Sequence, residues 1–144
     1  MGRSETKTTD MHPHFQRANF CSSEVIGAAI EVHRDKGPGL LESIYLKCLS
    51  RELSLRNIPS VRELIVPVTY KGYVFDESLR VDLFVDRCLL VETKTVEAIL
   101  PIHVAQLLSY MRLLDAPIGL LINFHEPILT RGLRRLTLRG ADQA

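Results

Sequence analysis

Leu79-Arg80-Val81-Asp82-Leu83-Phe84-Val85 and Cys88-Leu89-Leu90-Val91-Glu92-Thr93-Lys94 are two stretches of strand-forming residues separated only by Asp86-Arg87. The first alternates apolar and polar side chains, and the second is rich in Leu and Val. A turn centred on Arg87 pairs them antiparallel, with Leu83 opposite Val91, Val85 opposite Leu89 and Asp82 opposite Glu92. The two carboxylates are then expected on one sheet face. Directly opposed residues have Cβ atoms about 4.5–5.5 Å apart, where like charges repel, so a cation is expected between them. Mg²⁺, with Mn²⁺ as a substitute, fits: it takes carboxylate oxygens at about 2.0–2.1 Å and keeps waters and open positions. Lys94 lies two residues beyond Glu92 and shares its face by strand periodicity. Its ammonium could hold an attacking water or stabilise charge developing on phosphorus. Asp, Glu and Lys are also ordinary residues on the solvated face of a hairpin, and Asp-x9-Glu-x-Lys alone does not separate the two readings.

Outward from the hairpin, Ser22-Ser23-Glu24 offers caps for a helix to about Asp35, which Gly37-Pro38-Gly39 stops. A second helix is expected from about Leu41 to Arg56, ending at Asn57-Ile58-Pro59. A strand over about Val61–Tyr70 leads through Lys71-Gly72 to the hairpin. Pro101 starts a helix reaching about Leu114, Ile118–Phe124 is an apolar run of buried-strand type, and a last strand covers Leu133–Leu138. Two helices, a three-strand meander, a helix and a returning strand predict an α/β (α+β) fold with helices on the faces of a mixed sheet. Residues 1–21 are polar and aperiodic and read as a disordered leader before a single domain at 22–140. His12 and His14, two imidazoles in such a segment, make a poor metal site.

The chain has 144 residues, 46% of them hydrophobic, enough for one core and too few for two ordinary domains. No apolar run approaches the roughly 20 residues of a membrane span, and residues 1–20 lack the apolar centre of a signal peptide. Cys21, Cys48 and Cys88 form no close-spaced pair and read as reduced thiols, so a cytoplasmic protein without a membrane partner is expected. A net charge of +1 does not by itself announce nucleic-acid binding. Arg131, Arg134, Arg135 and Arg139 crowd the C-terminal segment, as a solvated face or a phosphate contact.

Some polar residues stand where apolar ones are expected. Leu41, Tyr45, Leu46, Leu49 and Leu53 form the apolar face of the second helix, and Glu42 falls on it. Glu42 must reach a cation, donate as a neutral acid, or be served by free N–H groups at the helix start. On the third helix His103, Gln106 and Tyr110 project in a narrow arc beside Val104, Leu107, Leu108 and Met111. Gln106 and Tyr110, one turn apart, could reach a metal-bound water, a phosphate or a carboxylate, or simply hydrogen-bond at the core edge. His33, on the apolar side of the first helix, reads as a satisfied core residue before a catalytic one.

Gly39-Leu40-Leu41-Glu42-Ser43-Ile44-Tyr45 matches a G-x-x-E-x-x-Y signature. With Ile26 to Arg34, Arg80-Val81-Asp82-Leu83, Val91-Glu92-Thr93-Lys94, Ala105 to Tyr110 and Gly119 to Phe124, the chain resembles the small bacterial and archaeal GxxExxY proteins of the PD-(D/E)XK nuclease superfamily. The resemblance covers about residues 22–138. It implies a restriction-endonuclease-like αβββαβ core and Mg²⁺-dependent hydrolysis of nucleic acid, DNA ahead of RNA. It places the family's acids on Asp82 and Glu92, its lysine on Lys94 and a helix-borne acid on Glu42, with the Thr93 carbonyl as a further metal ligand. Gln106 and Tyr110 resemble the substrate-positioning Q-x-x-x-Y element of RecB-type exonucleases. Thr93 departs from the apolar residue more usual between the acid and the lysine. The small size leaves specificity to a homodimer or a larger protein partner. The competing expectation is a noncatalytic nucleic-acid-binding or protein-interaction module on the same fold.

Overall fold

Lys71 (φ 50°) and Gly72 (φ 81°) form a two-residue turn between the paired residues Tyr70 and Tyr73. Left-handed conformation at both central positions gives a turn whose twist matches that of the strands it joins. In the computed structural model, which describes residues 11–143, it closes a ribbon of β1 (Ser60–Tyr70) and β2 (Tyr73–Val85). β2 therefore starts well before Leu79, the expected boundary. Its first residues are exposed and paired only with β1, so burial periodicity gives no sign of them.

A second tight turn carries left-handed Asp86 (φ 48°) and Arg87 (φ 58°) and leads into β3 (Leu89–Lys94). The register is the expected one, with Leu83 opposite Val91 and Val85 opposite Leu89. β3 runs parallel to β4 (Ile118–Asn123), and β5 (Leu133–Thr137) returns antiparallel, giving one mixed sheet in the order β1-β2-β3-β4-β5. A parallel pair needs a crossover, here supplied by α3 (Pro101–Leu114).

α1 (Phe15–Lys36) and α2 (Glu42–Leu55) cover one face of the sheet, where Val25, Ala29, Tyr45 and Leu49 meet Leu83, Leu89, Val91 and Leu120. α3 covers the other, with Leu107 and Met111 on Val81, Leu90 and Leu121. The architecture is the expected αβββαβ core, a mixed sheet with helices on both faces, extended by β5.

α1 corrects the expected leader boundary. It begins at Phe15, and Ala18 and Cys21 are fully buried. These two continue the stripe of Val25, Ala28, Ala29 and Val32 upstream at helical spacing. Asn19, Phe20 and Ser22 are indifferent helix formers, and tertiary contact supplies what propensity does not: Arg135 on β5 donates to Ser22 Oγ at 2.6 Å and Asn19 Oδ1 at 2.8 Å. The rest of the expected leader, residues 1–10, lies outside the described residues.

Gly119 lets α3 approach β4. A Cβ there would lie 2.5 Å from Met111 Sδ and 3.2 Å from Leu107 Cδ1, both on buried side chains. Gly119→Ala should therefore destabilise the fold by about 1–3 kcal/mol through overpacking. Urea unfolding measures it, and an unchanged midpoint would mean that α3 stands further from the sheet than described.

Candidate active site at the splayed hairpin

The ladder between β2 and β3 stops at Leu83 and Val91, and from there side chains take over the backbone bonds. Glu92 Oε2 accepts a hydrogen bond from the Asp82 N–H at 2.8 Å. Asp82 Oδ2 accepts one from the Thr93 N–H at 2.8 Å and another from Thr93 Oγ1 at 3.0 Å. Each carboxylate thus holds the other's strand. Asp82 and Glu92 come together as the register predicts, joined by this exchange in place of a ladder pair.

β2 changes face at the same point. Leu83 and Val85 pack under α1 and α2, whereas Val81 packs under α3. On the other side of β2, Glu63 has φ 56°, and neither it nor Asp82 is paired, although Arg62–Leu83 and Leu64–Val81 on either side are. Asp82 sits at this twist. The backbone N–H groups freed by the splay would be unsatisfied without the two carboxylates.

Glu92 is 6% exposed, and its carboxyl is pushed up to about 7 by burial and by neighbouring Asp82. Donation from the Asp82 N–H and the Lys94 ammonium work in the other direction, while Glu42 adds to the rise. Glu42, first residue of α2, is also raised, by burial and then by Asp82, with Lys94 and the Thr95 backbone opposing. These interactions put Glu42, Asp82, Glu92 and Lys94 in one electrostatic neighbourhood. The three carboxylates are not drawn into a tight cluster, however. Among the described residues the group of three that brings one ligand atom from each within 4.8 Å of the others is Cys21, Asp86 and Cys88.

Tyr45 sets the position of Glu42. It stacks on Phe124 at 4.6 Å and 8°, donates to the Gly37 carbonyl, and accepts from the Leu40 N–H at 3.1 Å. The hydroxyl so ties down the Gly37–Leu40 loop that delivers Glu42 to the helix start. Across the site, Gln106 Nε2 donates to Tyr110 Oη at 3.2 Å on α3. The Tyr110 phenol is raised by burial and then by Glu92 and Asp82, and its ring packs on the α3 side of the sheet against the cluster of Val81 and Leu90. His103 lies apart from this chemistry: its Nδ1 accepts from the Leu100 N–H at 2.9 Å, at the start of α3. His33 is likewise bonded away, Nε2 to the Glu126 carbonyl oxygen at 2.8 Å. Of the C-terminal arginines, Arg135 is spent on α1, while Arg131, Arg134 and Arg139 are exposed.

Two residues at the site carry roles the sequence reading missed. The Thr93 side chain, fully buried, holds Asp82 in addition to whatever its carbonyl does. Asn123 is fully buried at the end of β4. It accepts from the Val96 and His125 N–H groups at 3.1 and 3.2 Å and donates to the Val96 carbonyl at 2.8 Å. It fixes the segment that follows Lys94. The available signal was a lone amide ending the apolar run Ile118–Ile122.

Glu92 gives a pH-dependent signature. A carboxyl raised in the folded state favours folding while protonated, so its contribution is complete below its ordinary value near 4.5 and is lost as pH rises through about 7. Glu92→Gln keeps an acceptor for the Asp82 N–H and removes the charge. In metal-free buffer above pH 7 this variant should be more stable than the parent by on the order of 2 kcal/mol, with a flatter profile between pH 4.5 and 7. Chelator-treated thermal melts across that range test it; a less stable variant at pH 8 would refute the assigned burial.

The sequence profile of the PD-(D/E)XK nuclease superfamily matches residues 19–136. No curated protein compared with the chain matches it. Among solved structures, the crystal structure of SSO0001 aligns at 20% identity and a TM-score of 0.46, covering 93% of this chain and 68% of that one. The profile match begins within α1 and ends in β5, taking in the whole splayed hairpin with Glu42 on one flank and Gln106 and Tyr110 on the other: the chain belongs to the PD-(D/E)XK nuclease superfamily.

Proposed function

We propose that the protein is a Mg²⁺-dependent nuclease-like phosphodiesterase acting on nucleic acid, DNA ahead of RNA, with the subfamily features of the GxxExxY proteins. The observation that carries this reading is the buried Glu92 carboxyl beside Asp82, an arrangement that disfavours its own charge until a cation arrives. The donor set fits a hard ion. Asp82 and Glu92 commit Oδ2 and Oε2 to backbone bonds, leaving Oδ1 and Oε1 outside them, and the Thr93 carbonyl and Glu42 add further oxygens. Mg²⁺, or Mn²⁺ in its place, would polarise the phosphate and lower the pKa of a bound water.

The chain's own residues divide the remaining work. Lys94 orients the attacking water and meets negative charge growing on the phosphoryl oxygens. Glu42, acting directly or through water, completes the acidic side. Gln106 and Tyr110, already bonded to each other, offer donors at the other flank and position the strand being cut. Water oxygen bonds to phosphorus and gives up a proton to solvent as the bridging P–O bond breaks, and the leaving oxygen takes a proton from solvent.

The alternative is a noncatalytic nucleic-acid-binding or protein-interaction module, supplied in cells with a homodimer mate or a larger partner. Two observations favour it: one oxygen of each hairpin carboxylate is already spent on backbone, and the three acids are not drawn within 4.8 Å of one another.

A cleavage screen over labelled single- and double-stranded DNA and RNA with Mg²⁺ or Mn²⁺ separates the two. Metal-dependent cutting is expected, with Lys94→Ala lowering turnover by about 10²-fold or more. Binding without cutting would favour the module. Glu42→Gln should reduce turnover more than stability; an unchanged rate would leave Glu42 as a helix-start residue only.

A further inference from the structure

At the other end of the same hairpin, the β2–β3 turn meets α1. Cys21 projects from α1, and Asp86 and Cys88 from the turn, with one Sγ or carboxylate oxygen from each lying within 4.8 Å of the others. Cys21 and Cys88 are 0% and 1% exposed. The Asp86 side chain is 29% exposed and is ion-paired through Oδ2 with Arg17, which is itself 47% exposed. None of these residues takes part in the chemistry proposed above.

The tight turn that carries Asp86 and Cys88 has a defined backbone. Asp86 and Arg87 both have positive φ, a conformation in which L side chains are strained. The Asp86 N–H donates to the Pro59 carbonyl at 2.8 Å, and the Cys88 N–H to Val85 at 3.0 Å. Both ligand-bearing residues of the turn are thereby fixed by backbone bonds before any ion enters.

We propose that Cys21, Cys88 and Asp86 form a binding site for a thiophilic cation of the Zn²⁺ class, which clamps the N-terminal helix to the β2–β3 turn. Two sulfurs and one carboxylate oxygen are a donor set for Zn²⁺ and a poor one for Mg²⁺. Tetrahedral coordination with Zn–S near 2.3 Å separates the sulfurs by about 3.8 Å, so the present spacing needs to close by about 1 Å at most. A water entering beside the partly exposed Asp86 completes four-coordination. Charge also balances: two thiolates and one carboxylate carry −3, Arg17 carries +1, and a divalent ion brings the total to zero. Binding releases the two thiol protons to solvent, with no change of oxidation state. Without the ion, burial keeps both residues as neutral thiols, the Cys88 thiol pushed up to about 12. Arg17 stays as the outer partner of Asp86, holding Oδ2 and leaving Oδ1 for the metal.

Co²⁺ titration of the full chain under a phosphine reductant tests this directly. The expected result is a sulfur-to-cobalt charge-transfer band with intense tetrahedral d–d absorption, saturating at one ion per chain and abolished by added Zn²⁺ but not by Mg²⁺. Cys21→Ser and Cys88→Ser should each remove the band, Cys48→Ser should not, and Glu92→Gln should leave it intact, which separates this site from the acids. Asp86→Asn, at a side chain 29% exposed, should weaken Zn²⁺ competition by about tenfold in protein shown by circular dichroism to be folded. Absence of the charge-transfer band in the folded parent protein overturns the proposal. So does a band that survives Cys88→Ser, or a Cys21–Cys88 disulfide found by peptide mapping in a protein that binds no cobalt when reduced.

Discussion

The hydrogen bond from the Asp82 N–H to Glu92, with its reciprocal from the Thr93 N–H to Asp82, is the constraint on which the rest of the site depends. Two strands that continued as a regular ladder past Leu83 and Val91 would satisfy those N–H groups with carbonyls and would leave the acids merely facing one another. Substituting carboxylates for carbonyls lets β2 turn toward the α3 face at Val81 while β3 continues beside β4. The opening between the diverging strands is where Glu42, Lys94 and Tyr110 converge electrostatically. Fold and site are therefore one feature: the acids that make the chemistry conceivable are also the groups that keep the splay satisfied.

That double duty has a thermodynamic cost. Glu92 is nearly buried, and its rise to about 7 expresses the difficulty of keeping it charged beside Asp82. A sequence selected only for stability would place a neutral acceptor there, which gives the Asp82 N–H a partner without burying charge. Retaining a carboxylate at this position is understandable if something cationic visits it. Lys94 alone does not offset the burial.

The hairpin register and the α3 boundaries were legible in the sequence because period and punctuation agreed there: alternation in Leu79–Val85, a short turn, and Pro101 at a helix start. The early part of β2 was not, since a two-strand ribbon outside the core carries no burial signal. The first turns of α1 were hidden by a polar surface around only two core positions, Ala18 and Cys21. Glu42 stood out as a carboxylate on an apolar face, and it is half-buried at the start of α2. The Thr93 side chain and Asn123 did not stand out, because their work is done mainly by hydrogen bonds to groups distant in sequence, and no local pattern encodes those. Cys21 and Cys88 were legible as thiols but not as neighbours, for they lie on different elements that meet only in the folded sheet.

The two ends of the β2–β3 hairpin are mechanically linked through its register. A slip of one residue would reverse the face of every side chain on β3, sending Glu92 and Lys94 away from the opening and burying Thr93 on the wrong side. Only three ladder pairs, Leu83–Val91, Phe84–Leu90 and Val85–Leu89, separate the turn from the splay, too few to enforce register by backbone bonding alone. The left-handed Asp86 and Arg87, the Asp86 N–H bond to Pro59, and the Arg17–Asp86 ion pair fix the turn against α1 and β1, and so fix where pairing begins. Whatever tightens that junction also holds Asp82 and Glu92 in phase about 13 Å along the strand, four residues at roughly 3.3 Å each. Anchoring the hairpin at its turn gives Asp82 and Glu92 the fixed placement that the proposed phosphoryl chemistry would require.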